Sequence, residues 1–423
     1  MNEKWQNTME VFDSYERRFA AARVAKSLTH PWETGDREQI LAGVKKMLAF
    51  REDLIPQIRD MEEISRQRYD GYAAIQYRYR TWDRFYGAST LYMPDTDAKV
   101  PLVFVCCGHG EKGRLTGSYM AMGHRLASLG MAALVMDNIG QGDRNLTPET
   151  DRGPDHWFSI APFYCGLTLQ GMIVMETIAM IRHMQNDPRF DAGRFGACGN
   201  SGGGTLTMFL AAMAEKELSA IASSGYPSET GFLLTKERRH CACNMLRGSA
   251  YGPDMWEIYS LFAPKPLLLE GGKRDILIPM DLAHRNARKV RNTYQQLSAG
   301  ENIEFTWTDT AHSWDVPDLN RISAFLSQRL LGKTPEDAEV AYKPDSIEPF
   351  HVAMPGDMLH TDRLAQILTG IEMPKGLELC DIFIPTADGK PVHPETLQLD
   401  VGRGDVVMRV FAQMECSLIK DEE

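Results

Sequence analysis

The rhythm of apolar and polar positions changes twice along the chain. Over about residues 1–72, apolar residues recur at helical spacing among Glu, Arg, Lys and Ala, most plainly in REQILAGVKKMLAFREDLI from Arg37 to Ile55. Thr34, Gly35 and Asp36 offer capping chemistry before that stretch and Pro56 would stop it, so residues 1–72 are expected to form an N-terminal helical segment. From about residue 73 short β-rich runs take over. YAAIQYRYR and STLYMP read as a hairpin. VPLVFVCCG (100–108), MAALVMD (131–137), RFGACGN (194–200), AIASSGY (220–226), PLLLEGG (266–272) and IEFTWTD (303–309) read as further strands, most of them buried. Helical patterns such as YMAMGHRLASLG separate them. This alternation predicts βαβ units and a mostly parallel, doubly wound sheet with helices on both faces over residues 73–333. Beyond 334, the Pro- and acid-rich GKTPEDAEVAYKPDSIEP reads as a linker. The stretch LCDIFIPTADGKPVHPETLQLDVGRGDVVMRVF then suggests β-hairpins, so residues 334–423 are expected to be a linker and a small β-containing extension.

Composition narrows the class of partner. With 43% hydrophobic and 24% charged residues the chain can bury a large core, and neither disorder nor a collagen-like repeat is indicated. A formal net charge of −11 argues against nucleic acid or an anionic membrane surface, because phosphate binding needs clustered Lys and Arg. The first residues show no apolar stretch behind a basic flank, and nothing approaches the ~20 apolar residues of a membrane span. A soluble, cytoplasmic protein acting on a small molecule is expected. The eight cysteines do not have the spacing of a disulfide framework, so reduced, buried thiols are expected. Oligomeric state is left open, a homo-oligomer included.

The chemistry concentrates in Gly199-Asn200-Ser201-Gly202-Gly203, a G-x-S-x-G spacing directly after one strand and at the start of the helical stretch GTLTMFLAAMAEK. A serine on such a strained strand-to-helix turn needs neighbours without side chains, so that the backbone bends sharply and Oγ projects outward. The same helix start aims the Gly202 N–H at a developing negative charge. A serine hydroxyl is a weak nucleophile, so a His base and an orienting acid are required. Asp275 follows the strand PLLLEGG and His312 follows IEFTWTD, in the Ser…Asp…His order of an α/β-hydrolase fold. Glu229 is the rival acid; Glu270 lies inside its strand. The second oxyanion donor is placed at the Glu111 N–H, in the loop Gly108-His109-Gly110-Glu111-Lys112-Gly113.

Other residues are weighed against plainer roles. His109, Trp157, Tyr226, His240 and Trp256 are candidate pocket residues. Aromatics in the two long connections, between Arg144 and Gln170 and between Pro227 and Tyr259, would suit a lid over an apolar acyl or aromatic group, or ordinary packing. His240-Cys241-Ala242-Cys243 invites a metal, but no partner pair of similar spacing is in reach, and no metal or cofactor is expected. Lys112 and Arg114 follow a Gly-rich turn that lacks a phosphate-loop pattern.

Several longer stretches resemble bacterial α/β-hydrolases of the acetylxylan-esterase-like family over about residues 70–333. CCGHGEKGRLTGSYMAMGHRLASLGMAALVMDNIGQGDR resembles that family's His-Gly loop, helix and strand, ending in a D-x-x-G-Q-G-[DE]-R turn at Asp137–Arg144. GNSGGGTLT resembles its extended elbow, and HCACNMLRG followed by DMWEIYSLFAPKPLLLEGGKRD resembles its later strand and acid loop. The resemblance implies ester hydrolysis through an acyl-enzyme, with Ser201, Asp275 and His312 at the triad positions, and implies that Asp137 and Gln141 brace the rim of the site. It also implies a small acylated substrate such as an acylated carbohydrate. A peptidase or amidase of the prolyl-oligopeptidase type shares the triad but carries a propeller repeat, which this sequence lacks. A catalytically silent binding protein on the same fold is the reading from another class.

Overall fold

The computed structural model describes residues 37–110, 112–146, 161–230, 232, 244, 246–247 and 252–373. A single nine-stranded sheet organises them. Its strands are β1 (Arg59–Tyr69), β2 (Tyr72–Arg80), β3 (Tyr86–Pro94), β4 (Val100–Cys106), β5 (Ala132–Met136), β6 (Phe190–Asn200), β7 (Ala220–Ser224), β8 (Leu267–Gly272) and β9 (Ile303–Thr308). Their spatial order is β1-β2-β3-β5-β4-β6-β7-β8-β9. The pairs β1–β2, β2–β3 and β3–β5 are antiparallel, and every pair from β5–β4 to β8–β9 is parallel. The expected doubly wound, mostly parallel sheet is therefore present, with an antiparallel flank at one edge.

The parallel strands are central because their sequences are apolar on both sides. Every residue of VPLVFVC in β4 and of LLLEGG in β8 is buried, as covering by helices on both faces requires. Helices α2 (Gly117–Ser128) and α8 (Val316–Leu331) pack on one face through Met120, Leu126, Ile322 and Phe325. On the other face lie α1 (Arg37–Leu48), the short α3 (Ala161–Tyr164), α4 (Leu169–Gln185), α5 (Gly202–Met213), α6 (Met255–Ser260) and α7 (Met280–Gln296). No helix among the described residues is long and apolar enough to cross a membrane. Cys106, Cys107, Cys165 and Cys198 are buried and free, in keeping with the reading of reduced thiols.

Two expectations about the flanks need correction. The helix predicted from Arg37 does form, burying Ile40, Val44, Met47 and Leu48, but it ends at Leu48. Residues 59–69 are not helical: RDMEEISRQRY is an edge strand, so a domain boundary at 72 would cut the β1–β2 hairpin. Its charges conceal it, since edge strands carry such residues to prevent further pairing, and Glu62 and Asp60 pair across to Arg78 and Arg80 at 2.8 Å each. The supposed linker after 334 is also structured. Asn320 brackets Ala338 with two hydrogen bonds of 2.9 and 2.8 Å, and Phe350 is buried against the α2–α8 layer. A last helix, α9 (Thr361–Thr369), packs on α3. The expected hairpins beyond residue 373 lie outside the described residues.

Candidate active site

Ser201 sits between β6 and α5 with φ 58° and ψ −119°, a left-handed conformation that side chains rarely adopt and that marks a nucleophile elbow. Packing enforces the turn. A Cβ at Gly203 would stand 2.0 Å from the Cys106 carbonyl oxygen, and one at Gly199 would stand 2.3 Å from the Gly203 oxygen. Only glycine lets the elbow sink between the ends of β4 and β7. The Ser201 N–H donates to the Ser224 oxygen at 3.1 Å, which ties the elbow to β7.

The candidate acid, Asp275, follows β8 and the candidate base, His312, follows β9. His312 Nδ1 lies 2.7 Å from Asp275 Oδ2. The other oxygen of Asp275 accepts the Leu277 and Ile278 N–H groups at 2.7 and 3.0 Å. Burial would raise the Asp275 pKa, but the hydrogen bond and charge of His312 and those two amides outweigh it, and the carboxyl is held below its ordinary value. The His312 ring rests against the backbone beside the elbow: a Cβ at Gly225 would stand 3.4 Å from His312 Cε1 and 2.2 Å from Asn200 Oδ1. Ser201 and His312 thus both border the Ser224–Gly225 backbone. His312 Nε2 is buried and has no hydrogen-bond partner in this structure, Ser201 Oγ included; such contacts are often long until substrate binds.

The rival acids are engaged elsewhere. Glu229 is buried and forms a two-pronged ion pair with Arg285, Nη2 to Oε2 at 2.6 Å. Glu270 lies within β8, where its carboxyl accepts from Ser224 Oγ and from Thr308 Oγ1. Burial first, and the neighbouring Asp318 second, push its pKa up to about 8.

The loop after β4 crosses the start of α5. A Cβ at Gly108 would stand 3.1 Å from the Gly202 nitrogen, and one at Gly202 would stand 3.2 Å from His109 Cε1. The loop is held from three sides. The Gly108 N–H donates to Tyr119 Oη at 2.6 Å, the Gly110 N–H to Gln141 Oε1 at 3.3 Å, and the Arg114 N–H to Asp137 Oδ1 at 2.7 Å. Arg114 is fully buried and also pairs with Asp143 at 2.7 Å, so it is a structural cation and not a phosphate ligand. Tyr119 packs edge-on against Trp314, two residues past His312, with ring centroids 5.7 Å apart. The loop after β4 and the histidine loop are thereby registered against each other.

Of the remaining candidates, His109 lines a narrow cleft with Gly202, Asn138, Gln141 and Gln170. Tyr226 is buried beside Asp275, in a second cleft that also includes Glu270 and Trp307, and donates to Asn244 Oδ1 at 3.0 Å. Trp256 does not reach either cleft. It is 4% exposed on α6 and belongs to the main core, because that helix turns its aromatic face toward the layer shared with α7. Phe163 is likewise core. Glu111, Trp157, His240 and the cysteines beside His240 lie outside the described residues. Asn200, Tyr119 and Gln170 went unnoticed in the sequence as parts of the site. Only Asn200 had a signal, its place inside the elbow motif.

Residues 75–233, from β2 to just beyond β7, match the acetyl xylan esterase family. No curated protein sequence matches the chain. Among solved structures, a methylesterase is similar with a TM-score of 0.62 and 18% identity, over 84% of this chain and 78% of that one. A protein described as a putative acetyl xylan esterase from Bacteroides fragilis gives 0.54 and 15%, over 68% and 81% of the two chains. A glucuronoyl esterase from Solibacter usitatus gives 0.54 and 13%, over 70% and 93%. At these identities the structures establish a shared fold, that of the α/β-hydrolases.

Proposed function

We propose that the chain is a serine esterase on the α/β-hydrolase fold, as the acetyl xylan esterase match over residues 75–233 supports, and that Ser201, His312 and Asp275 are its catalytic triad. The observation that carries this reading is the convergence of the Ser201 elbow and the His312–Asp275 pair on the Ser224–Gly225 backbone. Asp275 on Nδ1 selects the tautomer in which Nε2 is unprotonated and able to accept. His312 Nε2 takes the Ser201 hydroxyl proton as Oγ bonds to the ester carbonyl carbon, and the carbonyl electrons move onto oxygen. The Gly202 N–H and the Glu111 N–H hold that oxyanion. The intermediate collapses, the carbon–oxygen bond to the alcohol breaks, and the alkoxide leaves with the proton from His312. Water, deprotonated by the same nitrogen, then attacks the acyl carbon. The acid departs, and Ser201 recovers its proton.

The substrate class proposed is a small acylated carbohydrate. The matched family's description, acetyl xylan esterase, supports it, as do two of the similar structures, described as a putative acetyl xylan esterase and a glucuronoyl esterase. The test is hydrolysis of nitrophenyl acetate through octanoate and of an acetylated xyloside by the wild type, Ser201→Ala and His312→Ala. Activity is expected to fall ~10³-fold or more in each variant. Full activity in Ser201→Ala would remove the elbow serine from the mechanism. A wild type that ignores esters and cleaves aminoacyl amides would replace ester by amide hydrolysis.

A further inference from the structure

Gln170 is the second residue of α4 and is 1% exposed. Its Nε2 is buried and has no hydrogen-bond partner. A buried amide donor without a partner is costly to keep, so a bound group that pairs with it gains the interaction in full. The position of Gln170 is not accidental looseness. Thr168 caps α4 by accepting the Gly171 N–H at 2.9 Å and donates to the Leu48 oxygen at 2.7 Å. A Cβ at Gly171 would stand 2.0 Å from that same Leu48 oxygen, so the first turn of α4 is wedged against the end of α1.

The orphan amide shares a cleft with Gly202, the residue after the nucleophile, and with His109, Asn138 and Gln141; Ile173 and Leu206 are its apolar members. Two of the polar members are already used by the protein. Asn138 Nδ2 donates to the Cys107 oxygen at 2.7 Å, and Gln141 Oε1 accepts the Gly110 N–H. Gln170 Nε2 is therefore a buried donor without a partner in the protein, on a residue that lines the same cleft as Gly202, the proposed oxyanion donor.

Building on the serine-esterase reading, we infer that Gln170 is a specificity-determining residue, whose Nε2 donates to a hydroxyl, ether or ring oxygen of the bound ester. A saturated hydrocarbon in the same cleft would leave the amide unpaired, and a site that must pair a buried polar group rejects the analogue lacking the oxygen. The oxygen can belong to the alcohol half, as in a sugar, or to the acyl half.

Two substrate pairs separate those sources. Methyl β-xyloside monoacetate is compared with cyclohexyl acetate, and nitrophenyl methoxyacetate with nitrophenyl butyrate, in the wild type, Gln170→Met and Gln170→Glu. The variants keep the length of the side chain and remove the donor. In one pair, kcat/KM on the oxygen-bearing member is expected to fall roughly tenfold or more, with the hydrocarbon member changed less than about threefold. The responding pair identifies the half of the substrate that Gln170 touches. Gln170→Met is also expected to melt at the same temperature as the wild type or higher, since it removes an unpaired buried donor. Equal losses on both members of both pairs, no loss on any, or a lost activity that follows a lowered melting temperature would overturn the inference. Ser201→Ala, run alongside, reports on the esterase reading separately. If the wild type cleaves none of the four esters, that reading has failed and the role of Gln170 falls with it.

Discussion

Asp275 and His312 are joined at 2.7 Å, from Oδ2 to Nδ1, while Oδ1 of the same carboxyl is occupied by the Leu277 and Ile278 amides. The carboxylate is pinned on both oxygens and cannot rotate away from the imidazole. Because these groups depress its pKa despite burial, it stays charged well into the acid range.

Replacing Asp275 by Asn keeps the size and the two backbone contacts but presents an N–H to Nδ1 or loses the contact, so the imidazole takes the wrong tautomer. Asp275→Asn is expected to lower kcat by roughly 10²–10⁴-fold with the fold intact. Steady-state kinetics together with circular dichroism check this. A loss of less than about tenfold would take the orienting role from Asp275 and reopen it for the rival acids Glu229 and Glu270.

At Gly203 the constraint is steric. A methyl group there meets the Cys106 carbonyl at 2.0 Å, an approach that only movement of β4 or of the elbow relieves. Gly203→Ala is expected to cost about 1–3 kcal/mol of stability, the range for overpacking, and to displace Ser201 enough to lose most activity. Urea unfolding and kcat/KM on the same preparation test both parts. A variant with wild-type stability and turnover would show that the elbow is looser than its packing implies.

Glu270 makes stability depend on pH in the alkaline direction. Its carboxyl is raised from 4.5 to about 8 by burial and by Asp318, with Ser224 and Thr308 also facing it. The folded chain therefore holds a proton that the unfolded chain releases above pH 4.5. The resulting stability is complete below that pH and is lost as pH rises to about 8. Urea midpoints measured from pH 5 to 9 are expected to fall in the wild type and to fall less in Glu270→Gln. Parallel slopes in the two proteins would contradict the assignment.

His124 acts in the opposite direction and at lower pH. It is enclosed by the rings of Tyr69, Tyr92 and Tyr342, at centroid distances of 4.8, 4.6 and 3.5 Å, and Tyr72 Oη lies 3.0 Å from Nδ1. Burial lowers its pKa from 6.5 to about 3. The unfolded chain takes up a proton first, so stability present above pH 6.5 is lost as pH falls toward 3. Since Tyr342 belongs to the segment after α8, acidification is expected to speed proteolytic cleavage between residues 334 and 350, and His124→Phe to blunt that effect. Cleavage rates independent of pH between 7 and 4 would exclude this role.

How much of this was legible beforehand depended on the range of the forces involved. The apolar runs that became β4 to β9, the helical period of α1 and the elbow glycines are local patterns. A strand buried on both faces must be apolar throughout, and a strained turn must lack side chains, so each can be read from a dozen residues. Chain order then placed Asp275 and His312 after successive strands, where the parallel topology delivers both to one edge.

The charged edge strand β1 escaped, because its partners lie across a hairpin and its polar face satisfies a helical reading equally well. The stretch from Ala338 to Phe350 looked like a linker, since what orders it is a set of contacts with Asn320, His124 and Arg114, far away in sequence. Trp256 and Gln170 show the same limit from both sides. An aromatic in a long connection went to the core, and an ordinary glutamine on a helix became a buried, unpaired donor lining the same cleft as Gly202. The sequence by itself determined the parallel strands, their order and the candidate trio Ser201, Asp275 and His312. Which polar groups are satisfied, and which are left facing the cleft, was decided only by tertiary structure, because desolvation and hydrogen bonding depend on neighbours that local sequence does not specify.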